Sequence, residues 1–131
     1  MLRKVLPLVG LLALAACHHL QPMYAPNDSV PPTAQRLPLD RVEADIVAAG
    51  SSLNWHFQHV APGHLTATQT EPKYSAVIDI YFDQSSFRIQ YQSSSGMPVE
   101  GNTIHEHYNQ WIRNLERAIS SRLANEAVAK P

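Results

Sequence analysis

Apolar and polar residues alternate in the middle of the chain, in the pattern of half-buried β-strands. Between Tyr74 and Phe82 every second residue is apolar, and the same alternation returns between Phe87 and Tyr91. Successive side chains of a strand point to opposite faces, so each segment would present one apolar face. The polar residues 83–86 between the two segments suit a tight turn. The pattern therefore predicts a hairpin with one face turned to the core.

Two weaker segments upstream predict further strands. Residues 55–59 and residues 65–70 also alternate, and the turn-forming Ala61-Pro62-Gly63 lies between them. Together with the hairpin they would make an antiparallel sheet of three or four strands.

Residues at helical spacing flank the predicted strands on both sides. On the N-terminal side, Asp40 and Glu43 have the spacing of a capping box, ahead of an apolar stripe that ends near Gly50. On the C-terminal side, Thr103 and Glu106 repeat that spacing ahead of a longer stripe. The apolar residues of this second stripe are Ile104, Tyr108, Trp111, Ile112, Leu115, Ile119 and Leu123. The stripe predicts a long helix that packs on the sheet and buries its two aromatic side chains.

This order of elements predicts the α+β class. We expect a two-layer sandwich, with an N-terminal helix, an antiparallel sheet of three or four strands and a long C-terminal helix. We assign this single domain to residues 39–124 and expect residues 125–131 to form a disordered tail. A chain of 131 residues leaves room for one small core once a targeting segment is removed.

The first residues have the pattern of a bacterial lipoprotein signal. A cationic start at Arg3-Lys4 precedes an apolar run from Val5 to Leu14, which is too short to span a membrane. Small residues follow, and Leu14-Ala15-Ala16-Cys17 fits the site cut by the lipoprotein-specific signal peptidase. Cys17 is the single cysteine of the chain, so an internal disulfide is impossible. We therefore predict a signal peptide over residues 1–16 and a diacylglycerol-modified, palmitate-bearing Cys17.

Residues 17–38 follow as the predicted lipidated cysteine and tether. The segment contains five prolines and has no usable apolar period, so it predicts an extended tether that would hold the domain away from the lipid surface. The second mature residue would be His18, with no aspartate nearby. In enterobacterial sorting an aspartate there favours the inner membrane, so we expect the periplasmic face of the outer membrane.

Charge argues against a nucleic-acid partner. The signal peptide carries two of the ten Lys and Arg residues, whereas all eleven Asp and Glu residues lie in the mature chain. The basic residues that remain are scattered, and Arg113, Arg117 and Arg122 stand beside glutamates on the last predicted helix. A protein that follows phosphates needs clustered Lys and Arg.

The last helix also carries a family resemblance. Residues 104–115, as I-H-x-x-Y-N-x-W-I-x-x-L, resemble the ending of a family of small, functionally uncharacterised bacterial lipoproteins. The resemblance runs from about Asp40 to Leu123, although Ser94-Ser95-Gly96 departs from the Asn-Leu pair expected after the serine. It implies an envelope lipoprotein of this fold, and it implies no catalytic residue.

Catalysis is not predicted. A Ser/His hydrolase would need Ser93, Ser94 or Ser95 near His105, but no G-x-S-x-G elbow is present and no acid is spaced to orient the base. A glycine-rich phosphate cradle is missing as well, so no cofactor is expected.

Metal binding is the alternative hypothesis, because the chain contains seven histidines. On a strand His56 and His59 would face opposite ways, and on a helix His105 and His107 would lie about 200 degrees apart. Neither pair makes a ready two-ligand site, although folding could gather one histidine from each group around zinc or copper. No individual residue is therefore predicted to be a metal ligand.

The leading prediction is a non-catalytic binding or structural module of the cell envelope. Its partner, a protein or a glycan, would bind the exposed sheet face or the loop before the last helix. The residues predicted to contact it are Ser93, Ser94, Asn102, His105 and Asn109.

Overall fold

A computed structural model describes residues 20–129, with side chains described up to Glu126. The two helices are α1, Leu39–Ser51, and α2, Glu106–Ala129. The strands are β1 (Leu20–Pro22), β2 (Asn27–Ser29), β3 (His56–Ala61), β4 (His64–Thr70), β5 (Ser75–Phe82), β6 (Ser86–Ser95), β7 (Val99–Glu100) and β8 (Thr103–His105). They pair antiparallel in a five-stranded sheet of order β2-β6-β5-β4-β3 and a three-stranded sheet of order β1-β8-β7. The predicted signal peptide, residues 1–16, and Cys17 lie outside the described residues.

The α+β class, the antiparallel pairing and the long C-terminal helix are confirmed. The predicted strand count is wrong, because the main sheet has five strands and a second sheet of three lies beside it. The additional strands are two or three residues long, and strands this short carry no readable alternation.

The segment before α1 is folded onto the domain, so the prediction of an extended tether is wrong for residues 20–38. Strand β1 pairs with β8, strand β2 pairs with β6, and a single 3-10 turn follows at Pro32–Ala34. Val30 and Ala34 are fully buried. The prolines fit because they lie at strand ends and at the start of the turn, where no ladder N–H is required.

Strand β6 runs three residues further than the alternation indicated. A bulge opposite Val77 and Ile78 adds one residue to β6, and Ser93 then pairs with Val77. Residues 93–95, predicted to open a loop, therefore belong to the sheet. Because the alternation of apolar and polar residues breaks at a bulge, the sequence pattern does not predict the true end of β6.

Helix α2 begins at Glu106 and not at the predicted cap. The Thr103 hydroxyl donates to the Glu100 carbonyl oxygen, so it closes the β7–β8 turn instead of capping the helix. His105 takes the capping place, because its Nδ1 accepts a hydrogen bond from the His107 N–H at 3.1 Å. At the other end the helix continues to Ala129, which corrects the expected disordered tail over residues 125–129. Residues 130–131 lie outside the described part.

Helix α1 also starts without the predicted capping box. Pro38 is its N-cap residue and no side chain caps the helix. Glu43 instead contacts the His59 Nδ1 of β3 at 3.0 Å.

Gly50 lies inside the last turn of α1, where a Cβ would come within 2.3 Å of the Phe57 ring. The glycine therefore allows α1 to approach the sheet closely.

One core joins the inner face of the five-stranded sheet to both helices. Most of the residues predicted for the inner faces lie in this core, and Ile78, Ile80, Ile89, Ile112, Leu115 and Ile119 are all fully buried. Two residues of the predicted helical stripe differ: Ile104 is buried from strand β8, and Trp111 is only partly buried. Among the described residues no helix combines the length and the apolar character that crossing a membrane requires.

Candidate functional site

An open groove of about 420 Å³ lies where the β4–β5 turn meets the first turns of α2. Its lining residues are Glu71, Pro72, Lys73, Tyr74, His107 and Trp111. We call it the aromatic groove. Three rings face a space that carries a carboxylate and an ammonium at its rim, so the groove suits a ligand with apolar and polar parts.

Trp111, which lines this groove, packs against the other tryptophan of the chain, Trp55. Their ring centroids lie 6.3 Å apart at an interplanar angle of 86°, the edge-to-face geometry that aromatic pairs favour. Trp55 is buried, with 2% of its surface exposed, whereas Trp111 is partly exposed. Trp111 thus contacts the core through Trp55 and also lines the groove.

Tyr74 and two histidines continue the ring cluster towards β8. The Tyr74 ring centroid lies 5.0 Å from that of His107 and 6.2 Å from that of His105. The two histidine rings are 5.3 Å apart, because His105 ends a strand and the predicted helical separation does not apply. The Nδ1 of His105 is already occupied by the backbone N–H that it caps.

The predicted partner-binding residues are dispersed, and His105 is the one that adjoins the groove. Ser93 is exposed on β6, and the Ser94 hydroxyl bonds with the Tyr91 hydroxyl at 2.9 Å. Asn102 is exposed in the β7–β8 turn, where its carbonyl oxygen accepts the Met23 N–H. A partner contact at these serines and Asn102 stays a prediction.

Asn109 is not a surface contact, and its prediction as one is wrong. Its side chain is buried, at 1% exposure, and holds the N-terminal segment. Its Oδ1 accepts the Tyr24 N–H at 2.8 Å, and its Nδ2 donates to the Pro22 carbonyl and the Gln21 Oε1 at 2.9 and 3.1 Å. The amide thus satisfies the Pro22 carbonyl at the end of β1 and the Tyr24 N–H just after it, and it also binds the Gln21 side chain.

The hydrolase and metal arrangements weighed from the sequence do not assemble in the part of the chain that the structure describes. Within residues 20–126 no serine hydroxyl hydrogen-bonds to a histidine, and His59 is paired with Glu43. No group of three or more His, Cys, Asp or Glu side chains within the described residues could hold a metal ion.

The outer face of the main sheet carries a polar ladder across three strands. His64, Tyr81 and Arg88 stand directly opposite one another on β4, β5 and β6. The His64 and Tyr81 rings stack at 4.3 Å, the Arg88 guanidinium lies 4.3 Å from the Tyr81 ring, and the His64 Nε2 contacts Asp79 at 2.8 Å. These groups satisfy one another, so the face is internally paired.

A second, smaller pocket of about 270 Å³ lies between β2 and α2. The Tyr24 hydroxyl donates to Glu116 at 2.6 Å, and the Arg113 guanidinium lies over the Tyr24 ring at 5.0 Å. Asp28 faces Glu116, and the hydrogen bond between these carboxyl groups, with partial burial, raises the pKa of Asp28 to about 6. The hydrogen bond to Glu116 also raises the pKa of Tyr24 to about 12. Asp28 therefore holds its proton to a higher pH than a free carboxyl group does.

D28N is therefore expected to stabilise the protein at neutral pH. A pKa raised from 3.8 to about 6 means that the folded state holds the proton more tightly. The stabilisation from Asp28 is full below pH 4 and is lost as the pH rises through about 6. The melting temperature of D28N should exceed that of the wild type at pH 7.5, and the difference should shrink towards pH 4.

D83N is the matched control with the opposite sign. Hydrogen bonds from the backbone and side chain of Ser85 and from Ser86 lower the pKa of Asp83, so its contribution disappears as the pH falls. D83N should lose stability at neutral pH. If the melting temperatures of D28N and the wild type change in parallel with pH, the raised pKa of Asp28 is contradicted.

The sequence pattern predicts no site at Glu71, Lys73 and Tyr74, and it suggests His107 only as a candidate metal ligand. Their spacing predicts Tyr74 and Trp111 to lie in the core, but both are only partly buried. Tyr74 and Trp111 lie at the edge of the apolar pattern of their segments, and residues at such an edge are often incompletely buried. This position is the one feature of the sequence that indicates their partial exposure.

Comparison with protein-family models and with curated protein sequences finds no match for this chain.

Proposed function

We propose that this protein is a bacterial lipoprotein, cut before Cys17, acylated there, and held on the periplasmic face of the outer membrane. The support is the cationic start, the short apolar run and the Leu14-Ala15-Ala16-Cys17 sequence, with the one cysteine of the chain at the cleavage point. A diacylglycerol together with an amide-linked chain buries enough methylenes for stable anchoring.

Within the envelope we propose a non-catalytic binding module whose contact site is the aromatic groove. The observation that carries this proposal is Trp111, a partly exposed ring that rests on the buried Trp55 and opens into a groove of about 420 Å³. Rigid aromatic side chains supported from below are typical of binding surfaces, because little side-chain entropy is lost on contact. The loop and serine contacts predicted from the sequence would extend this site.

The anchor is tested with Cys17→Ser. Lipid attachment requires the thiol, so the variant is expected to lose palmitate labelling and to leave unprocessed precursor. The matched control is Ser121→Cys in that variant, which restores a thiol at an exposed position away from the cleavage site. Labelling that persists in Cys17→Ser would disprove the proposed anchor.

A further inference from the structure

The described chain begins close to the proposed anchor. Three residue steps separate Cys17 from Leu20, and Leu20 is paired opposite His105 in the small sheet. A fully extended chain spans at most about 3.6 Å per residue, so Cys17 lies within about 11 Å of β1. The headgroup region on one side of a bilayer is about 5 to 8 Å thick. The folded domain therefore has no long spacer between itself and the lipid.

The surface beside Leu20 is the ring cluster of the aromatic groove. His105, the partner of Leu20, lies 6.2 Å from the Tyr74 ring, and His107 lies 6.3 Å from the Trp111 ring. On the other side of β8, Val99 is exposed, at 41%. The end of the domain nearest the anchor thus presents partly exposed rings and an exposed apolar side chain.

We propose that this end of the domain, with Tyr74, Trp111 and Val99, rests on the bilayer surface, and that the aromatic groove binds lipid headgroups. The proposal rests on the proposed acylation of Cys17. It reverses the expectation from sequence that a tether holds the domain away from the membrane.

The chemistry of the groove fits the interfacial region. Tryptophan and tyrosine favour the headgroup level, because the ring is apolar and its N–H or O–H stays hydrated. Glu71 and Lys73 line the groove with one charge of each sign. Because these charges balance, the groove does not require a lipid with a net negative charge. Neutral headgroups that carry both charges match this rim. A short anchor also raises the effective concentration of the surface, so weak affinity is sufficient.

The test measures quenching of Trp111 by lipid. The acylated full-length mature protein is placed in vesicles of zwitterionic phosphatidylcholine brominated near the top of its acyl chains. The wild type is expected to be quenched relative to unbrominated vesicles. W111F should lose most of that quenching, because Trp55 is buried in the core. Equal quenching of the wild type and W111F, or none in the wild type, would overturn the proposal.

A second tryptophan position tests the orientation. Tyr81 lies near the opposite end of β5, seven residues from Tyr74 and about 23 Å away at 3.3 Å per residue. In the W111F background, Y81W is expected to escape quenching. Quenching of Y81W as strong as that of Trp111 would show that the domain has no fixed orientation, and would also overturn the proposal.

Two further arms separate the outcomes. Coupling of the unacylated mature chain through Cys17 to a maleimide lipid supplies an anchor chemically. Trp111 should be quenched in that sample whether or not cells acylate the cysteine, so failure of the anchor and failure of docking are distinguished.

A glycan is the alternative occupant of the groove. In that case the mature chain would be retained on peptidoglycan sacculi, W111A would lose this retention, and lipid would not quench Trp111. That result would assign the groove to glycan and overturn the lipid proposal.

Discussion

Asn109→Ala is expected to release the N-terminal segment and to lower the free energy of unfolding by about 2 to 4 kcal/mol. The substitution leaves the Tyr24 N–H and the Pro22 carbonyl without their partners between β1 and α2. Each unsatisfied buried backbone group costs about 1 to 3 kcal/mol, and exposure to water after the segment detaches recovers part of it. Urea denaturation of the purified mature chain measures the loss.

Hydrogen exchange shows where the loss occurs. The amide of Tyr24 should exchange faster in the variant, while amides of the central strands β5 and β6 lose protection only by the change in global stability. Asn114→Ala is the matched control, because Asn114 is exposed on the same helix and its loss should change stability by less than about 0.5 kcal/mol. Equal effects of the two substitutions would contradict the role given to Asn109.

Trp55→Ala is expected to cost about 3 to 5 kcal/mol, a large share of the stability of a domain of this size. Trp55 is 2% exposed and supports the groove from inside the core. Trp111→Ala, which removes a ring already partly in solvent, should cost less than half as much. Thermal and urea denaturation of the two variants at pH 7 give the comparison.

This ranking differs from the one that helical spacing suggests, in which Trp111 belongs to the buried stripe. Trp55→Phe is the conservative control and should recover most of the loss, since a phenyl ring refills much of the cavity. If Trp111→Ala destabilises the protein as much as Trp55→Ala, the ring is core and the aromatic groove is not a binding surface.

The hairpin and the last helix could be predicted because their signals are local. Alternation places Ile78, Ile80 and Ile89 on one face, and all three are fully buried. The stripe of α2 needs only the helical period to place Ile112 and Leu115 in the core, and they are fully buried too. Trp111 was misplaced for a geometric reason: it lies about 60 degrees from Tyr108 around the helix, at the margin of the stripe, where burial depends on what packs beside it.

The predicted capping box at Thr103 and Glu106 shows how tertiary contacts can override a local sequence signal. The spacing is right for a helix start, yet residues 103–105 pair with β1 on one side and β7 on the other. Strand hydrogen bonds to two neighbours outweigh one side-chain cap, so the helix begins at Glu106. No feature within residues 103–106 reveals those neighbours.

By itself the sequence determined the α+β class, the antiparallel hairpin, the apolar face of each main element and the case for an anchor at Cys17. Only the tertiary structure decided that residues 20–38 are folded and that an aromatic groove lies beside them. The reason is distance along the chain. Periodicity reports on neighbours two to four residues away, whereas the bonds of Asn109 join groups 85 to 88 residues apart and form only when the chain has folded.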